Sequence, residues 1–197
     1  MGTRTLAALA LAISSAACSH ATQLSPAPGA AAAPVGPGIG AVGTETGVRV
    51  EVRSQAWSGD PVTLDDEVTP MYVEVTNNSD HSILVRANSV VLIQGGRAHR
   101  AKPPYDIHKT VRENYVYPGY GYYWAGWAAY QTVELPTADM VRLALPEGVL
   151  KPGEKIQGFL YFEHIDDDVS EVTFTFPVTD ASSKKPFGYI DIPFVAY

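Results

Sequence analysis

From Gly47 to the C-terminus the chain repeats one pattern, apolar residues two apart with polar residues between them, broken at short intervals by turn residues. Val48, Val50 and Val52 alternate with Arg49, Glu51 and Arg53; Met71, Val73 and Val75 alternate with Tyr72, Glu74 and Thr76. Successive side chains of a strand point to opposite faces, so each run buries one face and wets the other. The pattern recurs at Ile83 to Arg86, Val90 to Gln94, Val141 to Leu145, Ile156 to Phe162, Val172 to Phe176 and Ile190 to Phe194. Asn77-Asn78-Ser79-Asp80, Gly95-Gly96, Pro146-Glu147-Gly148, Pro152-Gly153, Asp166-Asp167-Asp168 and Asp180 to Lys185 separate the runs. Asn and Asp tolerate left-handed backbone and bond their own main chain, while Pro and Gly preset turn geometry. With no long amphipathic helix in between, the expectation is an all-β fold, an antiparallel sandwich of seven to eight strands.

Composition sets limits on partners. The chain of 197 residues carries 14 Lys and Arg against 21 Asp and Glu. Such an acidic balance disfavours general binding to nucleic acid. There is one cysteine, Cys18, so no intramolecular disulfide can form.

Cys18 follows a basic start at Arg4, an apolar stretch from Leu6 to Ile13 and the small residues Ser14 to Ala17. Those are the parts of a signal peptide, too short to span a bilayer. With cysteine placed there, the segment resembles the lipobox of bacterial lipoproteins, although Ser15 stands where that family usually has Leu. The resemblance implies cleavage between Ala17 and Cys18, a diacylglyceryl group on the Cys18 thiol and an acylated new amino terminus. Losing Arg4 with the leader would leave 13 basic against 21 acidic residues. Two acyl chains anchor stably where one binds only marginally. Ser19 follows the cysteine, and by the same resemblance the outer membrane is favoured, on its periplasmic or surface face. The alternative is an ordinary signal peptide with Cys18 an incidental thiol.

Residues 1–17 therefore read as leader and 18–44 as lipidated cysteine plus flexible linker, because Ala, Pro and Gly dominate Pro26 to Gly40 with almost no charge. As a coil this linker would span roughly 30 Å. Residues 45–197 form the folded domain. Within it, Pro70 to Asp80 and Leu150 to Phe162 look like two signatures of exported bacterial immunoglobulin-like domains: a strand ending in an Asn/Ser turn, and a Pro-Gly turn launching a strand that ends in aromatics. That resemblance implies a fold and no activity.

Residues 97–130 break the rhythm. The first half holds Arg97, Arg100, Lys102, Lys109 and Arg112 against one acid, Asp106; the second half, Tyr115 to Tyr130, holds six Tyr and two Trp. Aromatic faces stack on sugars or amphipathic partners, and Arg and Lys hold carboxylate or phosphate. The candidate contact residues are Arg100, Lys102, Lys109, Arg112, Tyr117, Tyr120, Tyr122, Tyr123, Trp124 and Trp127. The competing reading is a long loop with a hairpin whose rings cover one end of the sandwich.

Catalytic patterns are missing: there is no Gly-x-Ser-x-Gly elbow, no His-Glu-x-x-His and no phosphate-cradling glycine loop. Glu163, Asp166, Asp167 and Asp168 offer oxygens without the spacing or glycine of a calcium loop. No metal or cofactor is expected, and the chain is expected not to be an enzyme. The functional expectation is a membrane-anchored envelope lipoprotein that binds a protein or glycan partner without catalysis. The alternatives are a scaffolding lipoprotein with no ligand of its own and, third, a hydrolase using His99, His108 or Asp106.

Overall fold

The computed structural model describes residues 22–115, 129–165 and 171–197. In chain order the strands are Leu24–Pro26 (β1), Ile39–Glu45 (β2), Val48–Ser54 (β3), Val68–Asn77 (β4), Ile83–Val85 (β5), Val91–Gln94 (β6) and Arg97–Arg100 (β7). Then come Thr110–Tyr115 (β8), Ala129–Glu134 (β9), the helix Ala138–Leu143 (α1), Gly148–Leu150 (β10), Lys155–Glu163 (β11), Glu171–Thr179 (β12) and Pro186–Ala196 (β13). The fold is nearly all antiparallel β. The described residues hold thirteen strands rather than seven or eight, because the N-terminal segment and the insertion supply short strands of their own.

A five-stranded sheet runs β1-β13-β12-β6-β7 and a four-stranded sheet β11-β4-β3-β2. Two small sheets, β10-β5 and β8-β9, complete the set. One core lies between the large sheets. Val50 and Val52 of β3, Met71, Val73 and Val75 of β4 and Leu160 and Phe162 of β11 meet Leu92, Val172, Phe174, Phe176, Ile190, Ile192 and Phe194 from the other sheet. These are the alternating apolar positions of the sequence, and burying them removes the apolar area that drives folding.

Two turns read separately in the sequence meet at one buried side chain. Asn77 Nδ2 donates to His81 O at 2.8 Å and to Leu150 O at 3.0 Å, while Asn77 Oδ1 accepts from Ser79 N at 3.1 Å. Its main chain accepts from Gly153 N at 2.7 Å and donates to Glu154 O at 3.0 Å, so the Pro152-Gly153 turn is tied to the end of β4. Every polar atom of Asn77 is thereby satisfied away from water.

The linker expected over 18–44 is replaced, from Leu24 onward, by part of the domain. Leu24, Ser25 and Pro26 pair with Ala196, Val195 and Phe194 of β13, and Ile39 to Glu45 pair along β3. Between them the chain crosses from one sheet to the other. Ala27 N donates to Pro193 O at 2.9 Å, then Val42 N donates to Ala31 O at 2.8 Å and Ala33 N to Gly40 O at 3.0 Å. The small residues that look like disorder are required by close approach. A Cβ on Gly36 would stand 2.8 Å from Arg53 Cζ, and one on Gly40 would stand 2.6 Å from Arg53 Cγ. Arg53 donates to Pro34 O and holds this strap against the four-stranded sheet.

Residues 141–145, expected as a strand, are helical through Leu143. The Thr137 hydroxyl accepts from Met140 N at 3.4 Å as the helix N-cap, and Asp139 sits in the first turn with Arg142 in the last. Gly95-Gly96 does not end a sheet segment but turns β6 into β7, whose residues pair Val91 with Arg100 and Gln94 with Arg97. The insertion thus begins beyond Arg100. The Asp166-Asp167-Asp168 turn lies outside the described residues.

Candidate functional site

The strand β11 reads Phe159-Leu160-Tyr161-Phe162, apolar on both faces, and both faces are buried. Leu160 and Phe162 point into the main core; Phe159 and Tyr161 point outward into a second one. There they meet Ala56, Leu64, Val68, Ile107, Val111, Leu135 and Met140, with Trp57 and Tyr72 packed alongside. Trp57 lies edge-on to Phe159 at 5.1 Å and to Tyr161 at 6.1 Å, and Tyr72 lies edge-on to Phe159 at 5.6 Å. Edge-to-face contacts of this kind add to the gain from burial. The Tyr161 hydroxyl donates to Met140 O at 2.9 Å. Burial, and secondarily the Asp139 charge, push that phenol far above its ordinary pKa.

This second core is the platform for the insertion. The β8–β9 hairpin pairs Val111 with Val133, and Val111 is buried in the platform with Val133 packed against it. Polar bonds tie the loop between β3 and β4 to the hairpin. Thr63 Oγ1 donates to Arg112 O at 3.2 Å, Val62 N to Glu113 Oε1 at 2.7 Å, and Lys109 Nζ to Glu67 O at 2.7 Å. On the helix side Thr137 Oγ1 donates to Asp60 O at 2.6 Å and Asp60 N to Asp139 Oδ2 at 3.0 Å. The Arg142 side chain first, and Asp60 N second, hold the Asp139 carboxyl below the usual carboxylate range.

The structure separates the candidate cations. Lys102 and Lys109 line one cleft of about 190 Å³ with Val68, Ile107 and Phe162. Both carry carboxylate partners: Lys102 Nζ lies 2.7 Å from Glu163 Oε1 and Lys109 Nζ 3.2 Å from Glu67 Oε2. Lys102 is the main cause of a lowered Glu163 pKa, with His99, 3.6 Å from Glu163, adding to it. Arg112 is exposed on the hairpin and lines an open groove with Glu67 and Thr132. Arg100 lies elsewhere, on the outer face of the five-stranded sheet. The chain leaves that sheet at Ala101, whose N donates to Val90 O at 2.9 Å, and the next residue bonds the opposite sheet, Lys102 N to Tyr161 O at 2.8 Å. Cys18, Tyr117, Tyr120, Tyr122, Tyr123, Trp124 and Trp127 lie outside the described residues.

Asp106 and His108 are exposed, and His99 faces Glu163. Among the described residues no group of three His, Cys, Asp or Glu side chains could hold a metal ion, and no helix is long and apolar enough to cross a membrane. Sequence reasoning missed Trp57, Tyr72, Phe159 and Tyr161 as the support of the insertion. The signal was the unbroken apolar run of β11, which says that something covers its outer face.

No family model matches the chain, and no curated protein matches it. Among solved structures, a functionally unknown protein from Listeria monocytogenes EGD-e is 11% identical, with 87% of each chain covered and a TM-score of 0.37. A likeness at that level carries no argument about fold or function.

Proposed function

We propose that this chain is a lipid-anchored lipoprotein of the bacterial envelope whose immunoglobulin-like β-sandwich acts as a non-catalytic binding module. One observation carries the reading. The fold devotes a separate hydrophobic platform and a separate two-stranded sheet to holding Tyr115 and Ala129, the two ends of the Tyr/Trp-rich connection. Aromatic side chains of that kind serve as contact anchors because they offer large area for little lost conformational freedom. Arg112 stands exposed at the base of the hairpin as a charged neighbour.

The ordered N-terminal segment changes how such a module would sit. Between Cys18 and Leu24, where β1 begins, lie five residues, Ser19 to Gln23. Fully extended they reach about 20 Å, so the domain rides close to the lipid rather than on a long tether. The same end of the domain carries Thr22, whose hydroxyl donates to Ile165 O at 2.8 Å, and Ser54, whose hydroxyl donates to Leu24 O at 2.5 Å.

The test compares wild type with Trp124→Ala/Trp127→Ala in native cells by crosslinking and by retention on isolated envelopes. The expected outcome is at least about tenfold weaker retention with the melting temperature changed by under about 2 °C. A lowered melting temperature with unchanged retention would favour the scaffolding reading instead. Cys18→Ser should remove fatty-acid labelling and release the protein from the membrane.

A further inference from the structure

The outer face of the five-stranded sheet is a second surface, independent of the hairpin. Its outward positions are Thr173, Thr175, Pro177 and Thr179 of β12, Tyr189 and Asp191 of β13, Val91 of β6 and Arg100 of β7; Tyr189, Asp191 and Arg100 are exposed, the threonines and Val91 half-buried and Pro177 buried. At one end a groove of about 470 Å³ opens. Three cations line it: Arg86 before the turn into β6, Arg100 on β7 and Lys184 in the β12–β13 turn. No carboxylate lines it, and none of the three makes an ion pair among the described residues. Arg100 Nη1 donates to Asn88 O at 3.2 Å, which orients the guanidinium and leaves its other donors available. Nearby acids are engaged by neutral donors: Asp191 accepts from the Thr175 hydroxyl at 2.6 Å, Asp180 from Ser183 N at 2.6 Å and Glu147 from Ala87 N at 2.6 Å.

Uncompensated cations gathered in one groove of a chain with net charge -7 call for an anionic occupant. The rest of the lining says which kind. Tyr189 is 57% exposed and pairs across the sheet with Pro177, which is itself buried, so one flat aromatic face is open in the groove. Ser89 and Thr179 add hydroxyls. Val172 to Thr175 of β12 pair with β13 on one side and β6 on the other, while Phe176 to Thr179 pair with β13. An apolar ring face, hydroxyls and cations are the complement of a sugar ring bearing a carboxylate. From β7 to β13 the sheet spans three strand spacings, about 14 Å, room for two or three sugar units.

We infer that this groove binds a carboxylated saccharide, with Tyr189 under a sugar face and Arg86, Arg100 and Lys184 holding its carboxylates. The inference does not rest on the hairpin. The full chain in detergent micelles is titrated calorimetrically with tetragalacturonate, with maltotetraose as the neutral sugar and hexaglutamate as the peptide polyanion. Tetragalacturonate binds, maltotetraose and hexaglutamate bind at least about tenfold more weakly, and affinity falls as salt rises. Arg86→Gln/Arg100→Gln and, separately, Tyr189→Ala each weaken binding about tenfold or more, with unchanged circular dichroism because all three side chains are exposed. Trp124→Ala/Trp127→Ala leaves this binding intact, so failure here and failure of the hairpin reading are told apart. No binding of tetragalacturonate, equal binding of hexaglutamate, or no effect of Tyr189→Ala overturns it.

Discussion

The two large sheets share one core but wear opposite outer faces. The four-stranded sheet presents Phe159, Tyr161 and Tyr72 outward on one half and the charged row Arg49, Glu51 and Arg53 on the other. It is covered on both halves, by the insertion and by the N-terminal strap. The five-stranded sheet presents half-buried threonines together with exposed Asp191 and Tyr189. The period-two pattern is the same in both. What differs is the chemistry of the outward positions, and it decides which face gathers further chain and which stays open for another molecule.

The largest effect should come from emptying the covered face. Phe159→Ala removes the ring at the centre of the second core and should cost about 3–5 kcal/mol in urea unfolding. Tyr189→Ala, the aromatic of similar size on the open face, should stay within about 0.5 kcal/mol of wild type. Equal losses would break the contrast between the faces.

The charged half of the covered face gives the next test. Arg53 and Glu51 side chains are only 6% and 7% exposed, with Arg53 Nη2 2.5 Å from Glu51 Oε1. Arg49 Nη2 adds a bond to Glu51 Oε2 at 3.0 Å. Arg53→Met leaves a buried carboxylate short of its main partner and frees Pro34 O, a loss of about 3 kcal/mol. Limited proteolysis should then cut within residues 30–37. The double change Glu51→Leu/Arg53→Met should recover much of the stability, because a buried ion pair itself contributes little net. Lys184→Met on the open face should change stability by less than about 0.5 kcal/mol.

This pair of residues also shows why part of the fold was hidden in the sequence. The strands β3, β4, β12 and β13 were legible, since each buries one face and alternates accordingly. The strap was not. Ala, Gly and Pro are what a disordered linker contains and also what a chain lying on an arginine requires, and only the position of Arg53 separates the two. Around α1, Val141, Leu143 and Leu145 fit a two-residue period over too short a stretch to exclude a helix; Thr137 followed by Asp139 was the better signal. Among the site residues, Arg100 and Lys102 are two apart and would share a face of one strand. The crossover at Ala101 sends them to different sheets, and no local pattern marks it.

The smallest effect compares two carboxylates, one beside each face, whose pKa values are lowered for different reasons. Asp180 Oδ1 accepts from Ser182 Oγ at 2.6 Å, Ser182 N at 3.1 Å and Ser183 N at 2.6 Å, with Ser182 the first cause of a pKa lowered to about 2. It shapes the turn that carries Lys184. Glu163, beside the covered face, is lowered chiefly by Lys102. A carboxyl lowered on folding contributes stability above its unfolded pKa and loses it as pH falls through the folded one. For Asp180 the window therefore runs from about 4 down to about 2. Asp180→Asn should melt below wild type at neutral pH, and the gap should close across that window. Its partners are neutral donors, so raising salt to about 0.5 M should leave the gap nearly unchanged, whereas the corresponding gap for Glu163→Gln, which faces a lysine, should shrink. A salt-sensitive Asp180 gap would mean that the turn is held by the groove cations rather than by its own serines, and the groove would then be partly self-neutralised.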